Sequence, residues 1–242
     1  MGNRYKQAWA LVKNDLVRFK WGFVMTLLFS MYMSVTSLFM LNGVLGKGGE
    51  MYRFLSGTLD FVYLITLPNM GFFFSRRSMR YLQEDSYTKW MIKLRTLPID
   101  IHTIALSRIM MMVVAFTLNM TLFISIQVIF SPGLRAELGP VSIMAYAFML
   151  IAFSMIINMT FIIMELSYSG SKYFKGSLII LGFTTFLAIA IALSGGSFVL
   201  TIVYVAKYYP WFSGILALGV ITQVLTLGIV RAKNAIRKRD LV

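Results

Sequence analysis

The sequence predicts an all-α, polytopic membrane protein with six transmembrane helices, and three observations carry that prediction. First, six stretches (21–41, 54–75, 109–130, 141–164, 177–194 and 211–230) are each apolar over the length of a span. A helix rises about 1.5 Å per residue and must cover roughly 30 Å of hydrocarbon, so about 20 residues suffice. Second, 58% of the residues are hydrophobic and the mean hydropathy is +0.76, as expected of a chain that is mostly embedded. Third, the positive charge is partitioned. Of the 23 Lys and Arg residues, 19 fall before the first span, in the second and fourth connections, or in the tail; only Lys47, Arg53, Arg135 and Lys207 fall on the other side. The positive-inside rule then puts both termini in the cytoplasm. Topology thus accounts for the net charge of +14, and no nucleic-acid partner is expected.

The longest connection, 76–108, has 33 residues, too few for an ordinary soluble domain. The chain therefore reads as one transmembrane domain: an amphipathic interfacial helix over 1–20, two spans over 21–75, a cytoplasmic segment over 76–108, four spans over 109–230 and a basic tail over 231–242. There is no cysteine, hence neither disulfide nor thiolate metal site. The N-terminus does not read as a cleavable signal, because its charged region is long, its first apolar run is span-length, and no Ala-x-Ala-like site follows.

Taken in order, residues 3–20 predict a helix with Tyr5, Trp9, Val12, Leu16 and Phe19 on one side and Lys6, Lys13, Asn14 and Lys20 between them. Such a helix lies in the interface, with its aromatics in the headgroups and its lysines toward anionic lipid. Four glycines within 42–53 predict a flexible loop. The second span carries Asp60 and Pro68; the proline predicts a kink. An intramembrane carboxylate is costly and faces protein or water, so Asp60 is either a structural partner near the outer leaflet or part of a substrate or proton route. Asn119 with Thr121, and Asn158 with Thr160, fit a glycosylation pattern but lie within spans, where they serve better as interhelical hydrogen-bonding groups. The run 170–176 lacks the spacing of a phosphate loop. Residues 197–206, apolar but too short to cross, lie between Gly195-Gly196 and Lys207-Tyr-Tyr-Pro-Trp211. They predict a re-entrant half-helix on the outer side.

The cytoplasmic connection carries the functional signal. Tyr87, Trp90, Met91 and Leu94 fall on one side of a short helix whose positive N-terminus suits Glu84 and Asp85. Pro98 breaks that helix at Leu97, and Asp100 can cap a new one that runs through His102 and Arg108 into the third span. The stretch Leu94-Arg-Thr-Leu-Pro-Ile-Asp100, followed by Ser107-Arg108 and a long apolar span, resembles the Leu-Pro-Ile elbow of bacterial ABC transporter permeases of the type-2 exporter class. The six spans, internal termini, interfacial N-terminal helix and re-entrant segment resemble that family over the whole chain. Where the family often has Gly-Thr-Leu-Glu before the helix, this chain has Asp85-Ser-Tyr-Thr.

The resemblance implies a permease of the bacterial plasma membrane, working as a dimer with itself or a similar permease. It implies a separate ABC ATP-binding subunit that carries the ATP and Mg, with no cofactor and no nucleotide site on this chain. It also implies a coupling helix over 84–95, whose Glu84, Asp85, Tyr87, Trp90, Met91, Leu94 and Arg95 contact that ATPase, and an elbow of Leu97, Pro98 and Ile99. Three other classes compete. A proton- or sodium-driven transporter would want several intramembrane ionisable groups and an internal repeat; the sequence offers Asp60, with Glu165 at a membrane edge. An intramembrane enzyme would need a constellation around the single histidine, His102, and none assembles. A non-transporting membrane subunit, an assembly or immunity factor, would share the spans and the elbow.

Overall fold

The computed structural model describes residues 2–46, 50–74 and 80–239, and for 2, 3 and 50–53 the backbone alone. Every element among the described residues is helical: α1 (Gly2–Arg18), α2 (Lys20–Leu45), α3 (Glu50–Thr66), a 3-10 turn (Leu67–Asn69), α4 (Tyr81–Glu84), α5 (Ser86–Arg95), α6 (Ile101–Phe130), α7 (Pro132–Glu137), α8 (Pro140–Ser167), α9 (Gly170–Leu193), α10 (Phe198–Tyr208) and α11 (Pro210–Lys238). Local chemistry sets many of the boundaries. Asp100, Ser131 and Ser197 cap α6, α7 and α10 by accepting amide hydrogens with their side chains. Pro132, Pro140 and Pro210 stand in the first turns of α7, α8 and α11, where the missing N–H costs nothing.

Five helices, α2, α6, α8, α9 and α11, are long and apolar enough to cross a membrane; the chain is a polytopic helical membrane protein. The predicted second span is different. Instead of one kinked helix over 54–75, α3 has 17 residues and stops at Thr66. Pro68 cannot donate to the carbonyl one turn back, and the chain turns through 67–69 before continuing without regular structure over 72–74. The predicted end of that span at Ser75, together with Arg76, Arg77, Lys47 and residues 240–242, lies outside the described residues.

Two loops are also shorter than the sequence predicts. Helix covers 42–45 and begins again at Glu50, and α9 starts at Gly170, so most of the fourth connection is helical. The apolar face of α1 is divided. Ala8 and Val12 are fully buried along α6, whereas Tyr5 and Trp9 are exposed.

The most extensive helix pair is α8 with α11, followed by α2 with α6. One apolar core joins them, centred on Tyr63, Phe123, Tyr146 and Leu150. Within it the Tyr63 and Tyr146 hydroxyls stand 3.1 Å apart, so neither polar tip is left without a partner. Helices α1, α4 and α5 gather at one end of the bundle with the C-terminus of α11, here called the basic end. At the far end, the Ser131 hydroxyl donates to Asn42 at 2.6 Å and Lys207 pairs with Glu137 at 2.6 Å.

Candidate functional site

Of the polar residues that the sequence places inside spans, Asp60, Asn119 and Asn158 serve broken backbone, whereas Thr160 bonds only the Ile156 carbonyl of its own helix. Asp60, fully buried on α3, accepts from the Ser197 hydroxyl at 2.8 Å and from the amides of Phe198 and Val199 at 2.7 and 2.9 Å. Those amides open α10. A helix start presents N–H groups with no partner of their own and a partial positive charge, and the carboxylate satisfies both at once.

Asn119 and Asn158 do the corresponding work below Pro68. The Asn119 amide donates to the Met70 carbonyl at 2.8 Å. The Gly71 amide donates to Asn158 Oδ1 at 3.0 Å, and the Asn158 amide reaches the Ser154 hydroxyl at 3.1 Å. Ser154 in turn donates to the Leu67 carbonyl. Gly71 is required here because a Cβ would lie 2.3 Å from Asn158 Oδ1. In hydrocarbon each unpaired backbone group is costly, which explains why polar side chains from α3, α6 and α8 converge on the two interruptions.

At the basic end, α5 forms as a helix of 10 residues, separated from α4 by Asp85, which takes the left-handed conformation at φ 42°. Its apolar face points into this chain. Tyr87, Met91 and Leu94 are buried, and Trp90 lies under the Arg108 guanidinium, 5.2 Å from the ring centre. Arg108 also forms a 2.7 Å ion pair with Glu165 of α8. Of the seven side chains expected to meet an ATPase, Tyr87, Met91 and Leu94 are therefore core residues, Glu84, Asp85 and Trp90 are half-buried and Arg95 is exposed. Outward-facing groups of this segment include Lys89, Ile92, Lys93, Leu97 and Pro98, a face that periodicity alone assigns to solvent. Glu84 pairs with Arg80 at 2.6 Å. Ile99 packs on the core from the elbow, and its amide donates to the Leu97 carbonyl at 2.7 Å.

Hydrogen bonds join this segment to three of the long helices. Asp85 accepts the Gly170 amide at 2.8 Å, capping α9. Its carboxyl is pushed up by partial burial, but the amides of Gly170 and Thr88, the Thr88 hydroxyl and the nearby Arg239 charge together hold it below the ordinary aspartate value. The Arg239 guanidinium donates to Thr88 Oγ1 at 2.6 Å and to the Glu165 and Leu166 carbonyls at 3.1 and 3.3 Å, closing the C-terminus of α8. Arg95 donates to the Ile236 carbonyl of α11 and to the Arg239 carbonyl at 3.2 Å. A Cβ on Gly170 would lie 1.9 Å from the Tyr81 carbonyl oxygen, so α9 meets α4 here at backbone contact.

This clasp of Asp85, Thr88, Arg95, Gly170 and Arg239 was only partly legible. Asp85 carried a helix-start signal and Arg95 came only with the resemblance, whereas Arg239 looks like any other cation of the tail.

Two cavities adjoin the clasp. One, of about 390 Å³, extends from Arg108 and Glu165 between α3, α6, α8 and α9; the other, of about 320 Å³, lies between α1, α5 and α6. Among the described residues no three His or acidic side chains converge as metal ligands. No family model, no curated protein and no solved structure matches the chain.

Proposed function

We propose that this chain is the membrane subunit of an ABC exporter, a permease driven by ATP hydrolysis in a separate subunit and working as a dimer with itself or a similar permease. The observation that supports this most is the way α5 is built into the bundle. Its inner face is core, its outer face is free for a partner, and hydrogen bonds from it and from the preceding Asp85 run to the ends of α11 and α9, and through Arg239 to the end of α8. A push on the outer face would therefore reach three long helices through short, charge-assisted contacts and a fourth, α6, through the elbow, as a rigid-body shift requires. The three hydrogen bonds on Asp60 support a structural role for that carboxylate rather than proton coupling.

In this reading α3 with its 3-10 turn is the sixth span. Its 17 helical residues rise about 26 Å and the turn adds about 6 Å, close to the hydrocarbon thickness. The basic end then faces the cytoplasm of a bacterial cell, carries both termini and holds α1 in the interface; α10 is the outer re-entrant helix. A natural lack of cysteine makes single-cysteine labelling clean, and position 89 should react only from the cytoplasmic side and position 208 only from outside.

The coupling contact falls on Ile92, Leu97 and Pro98 with Lys89 and Lys93. Purified from native membranes in mild detergent, the tagged chain should bring down an ATP-binding subunit in roughly equal amount, with vanadate-sensitive ATPase activity. Ile92→Asp with Leu97→Asp should abolish both while leaving the chain folded. A chain recovered alone and without ATPase activity would overturn the reading in favour of a secondary transporter or a non-transporting subunit.

A further inference from the structure

The two cavities are not independent. They share four wall residues, Asp15, Phe19, Arg108 and Met111, so they meet at a septum of side chains from α1, the α1–α2 junction and α6. The two sides differ in charge. On the larger side, away from Arg108 and Glu165, the walls are neutral and mostly apolar, from Leu64, Ile65, Phe161, Leu178 and Leu181, with Asn158, Ser177 and Thr184 among them; Leu178 and Leu181 are also about half exposed on the flank of α9. On the smaller side Arg18, Lys89 and Lys93 stand at an exposed mouth, outnumbering the Asp15 and Glu84 carboxylates of the same walls, and none of the three cations forms an ion pair among the described residues.

We propose that the joined cavities are a binding site for an anionic amphiphile, with its acidic headgroup among Arg18, Lys89 and Lys93 and its hydrocarbon chain in the larger cavity beyond Phe19. Each cavity alone falls near the lower end of the roughly 300–1,000 Å³ range of ligand sites, and the two poles match the two parts of such a molecule. The cations gain a partner that no carboxylate of the described residues supplies. The chain removes apolar surface from water at the mouth and is walled by side chains of the same polarity.

Arg108 fits the same arrangement. Its Nη2 serves Glu165, but its Nε is buried with no acceptor, and a headgroup oxygen reaching in from the mouth would supply one. Of the four septum residues, Phe19 alone stands at a joint, with non-helical backbone between α1 and α2. Its walls come from this chain alone, but Lys89, Lys93 and Leu97 also belong to the proposed coupling contact, so the headgroup side is open when no ATPase covers α5.

The test uses the full chain in nanodiscs of zwitterionic lipid, with dodecyl phosphate as the probe and dodecyltrimethylammonium and inorganic phosphate as comparisons. Saturable binding of dodecyl phosphate is expected, at least tenfold tighter than either comparison and weakened by salt. Lys89→Glu with Lys93→Glu should reduce it at least tenfold through the head, and Leu181→Trp should do so through the chain cavity. These positions are exposed or half exposed, and a melting profile matching the parent verifies that each variant is folded. Inorganic phosphate bound as tightly as dodecyl phosphate would mean a free-anion site and overturn the proposal. Equal binding of the two dodecyl compounds would mean simple partition, and undiminished binding in both variants would place the amphiphile elsewhere; either would overturn it as well.

Discussion

Two helix breaks among the described residues draw buried polar side chains from neighbouring helices, and the two are closed in different ways. Between α9 and α10, one carboxylate takes the Ser197 hydroxyl and two amides. Between Thr66 and Phe72, four contacts from α6 and α8 are spread over Leu67, Met70 and Gly71. The difference follows from what each break exposes. A helix start presents several donors close together and a partial positive charge, which one anion can serve. A proline break leaves carbonyls and an amide facing different directions, which needs both donors and acceptors, and amide side chains supply both. The first closure is concentrated and the second is shared, so their sensitivity to single substitutions should differ.

The largest effect is expected at Asp60. Replacing it with Ala leaves three buried donors without acceptors, at about 1–3 kcal/mol each when nothing relaxes. A loss of about 3 kcal/mol or more in detergent unfolding is expected, with hydrogen exchange accelerated at Phe198 and Val199. Asp60→Asn keeps one acceptor and should fall between. If Asp60→Ala melts with the parent protein, the carboxylate does not hold α10.

Asn158→Leu should cost less, about 1–2 kcal/mol in the same measurement, because Ser154 still serves the Leu67 carbonyl and interhelical hydrogen bonds in membranes are individually worth about 0.5–2 kcal/mol. Asn158→Leu with Ser154→Ala should approach the Asp60 value. A single Asn158 variant as damaging as Asp60→Ala would contradict the idea of a shared closure.

The same contrast explains how much was legible in the sequence. Span-length apolar runs, the Asp100 cap and the short helix over 198–208 follow from periodicity and composition, which act locally. Asp60, Asn119 and Asn158 stood out because polar groups in spans are costly, but their partners lie 49 to 139 positions away and nothing local encodes such a pairing. At Pro68 the local rule named the right residue and the wrong outcome: a kink was expected, and the available amides of α6 and α8 allow the helix to stop. In α5 the amphipathic face was legible, but not what covers it. Burial by Arg108 and the core instead of by a partner is decided by tertiary packing.

A smaller effect is expected in the clasp, which lies at the basic end and is half solvated. Gly170→Ala forces the Tyr81 carbonyl away and should raise exchange at the first amides of α9, with little change in the melting of the whole bundle. The pH dependence has a definite sign. The Asp85 carboxyl lies below its ordinary value in the folded protein, so its contribution is present above the unfolded pKa of about 3.9 and is lost as pH falls through the lower folded value. Protection of the Gly170 amide should be level near neutrality and fall only below about pH 4. Asp85→Asn should remove that acid step while keeping an acceptor for Gly170.

The smallest effect is expected at Lys207, and it sharpens the comparison most directly because Lys207 is a second charged tie on α10. It meets Glu137 at 2.6 Å, as short as any bond made by Asp60, and the proximity of that carboxylate raises the lysine's pKa. Both partners are exposed to solvent, however, at 41% and 47%. Water and salt screen such a pair, and the two free ends regain hydration when it breaks. Lys207→Gln should therefore leave the unfolding midpoint unchanged at 0.15 M salt, with any shift at low ionic strength vanishing as salt is added. Distance would predict equal damage from Lys207→Gln and Asp60→Ala, whereas burial predicts damage from Asp60→Ala alone. A Lys207→Gln variant as unstable as Asp60→Ala would show that α10 is held by charge pairing at its exposed end, and that the buried carboxylate is not what closes the break.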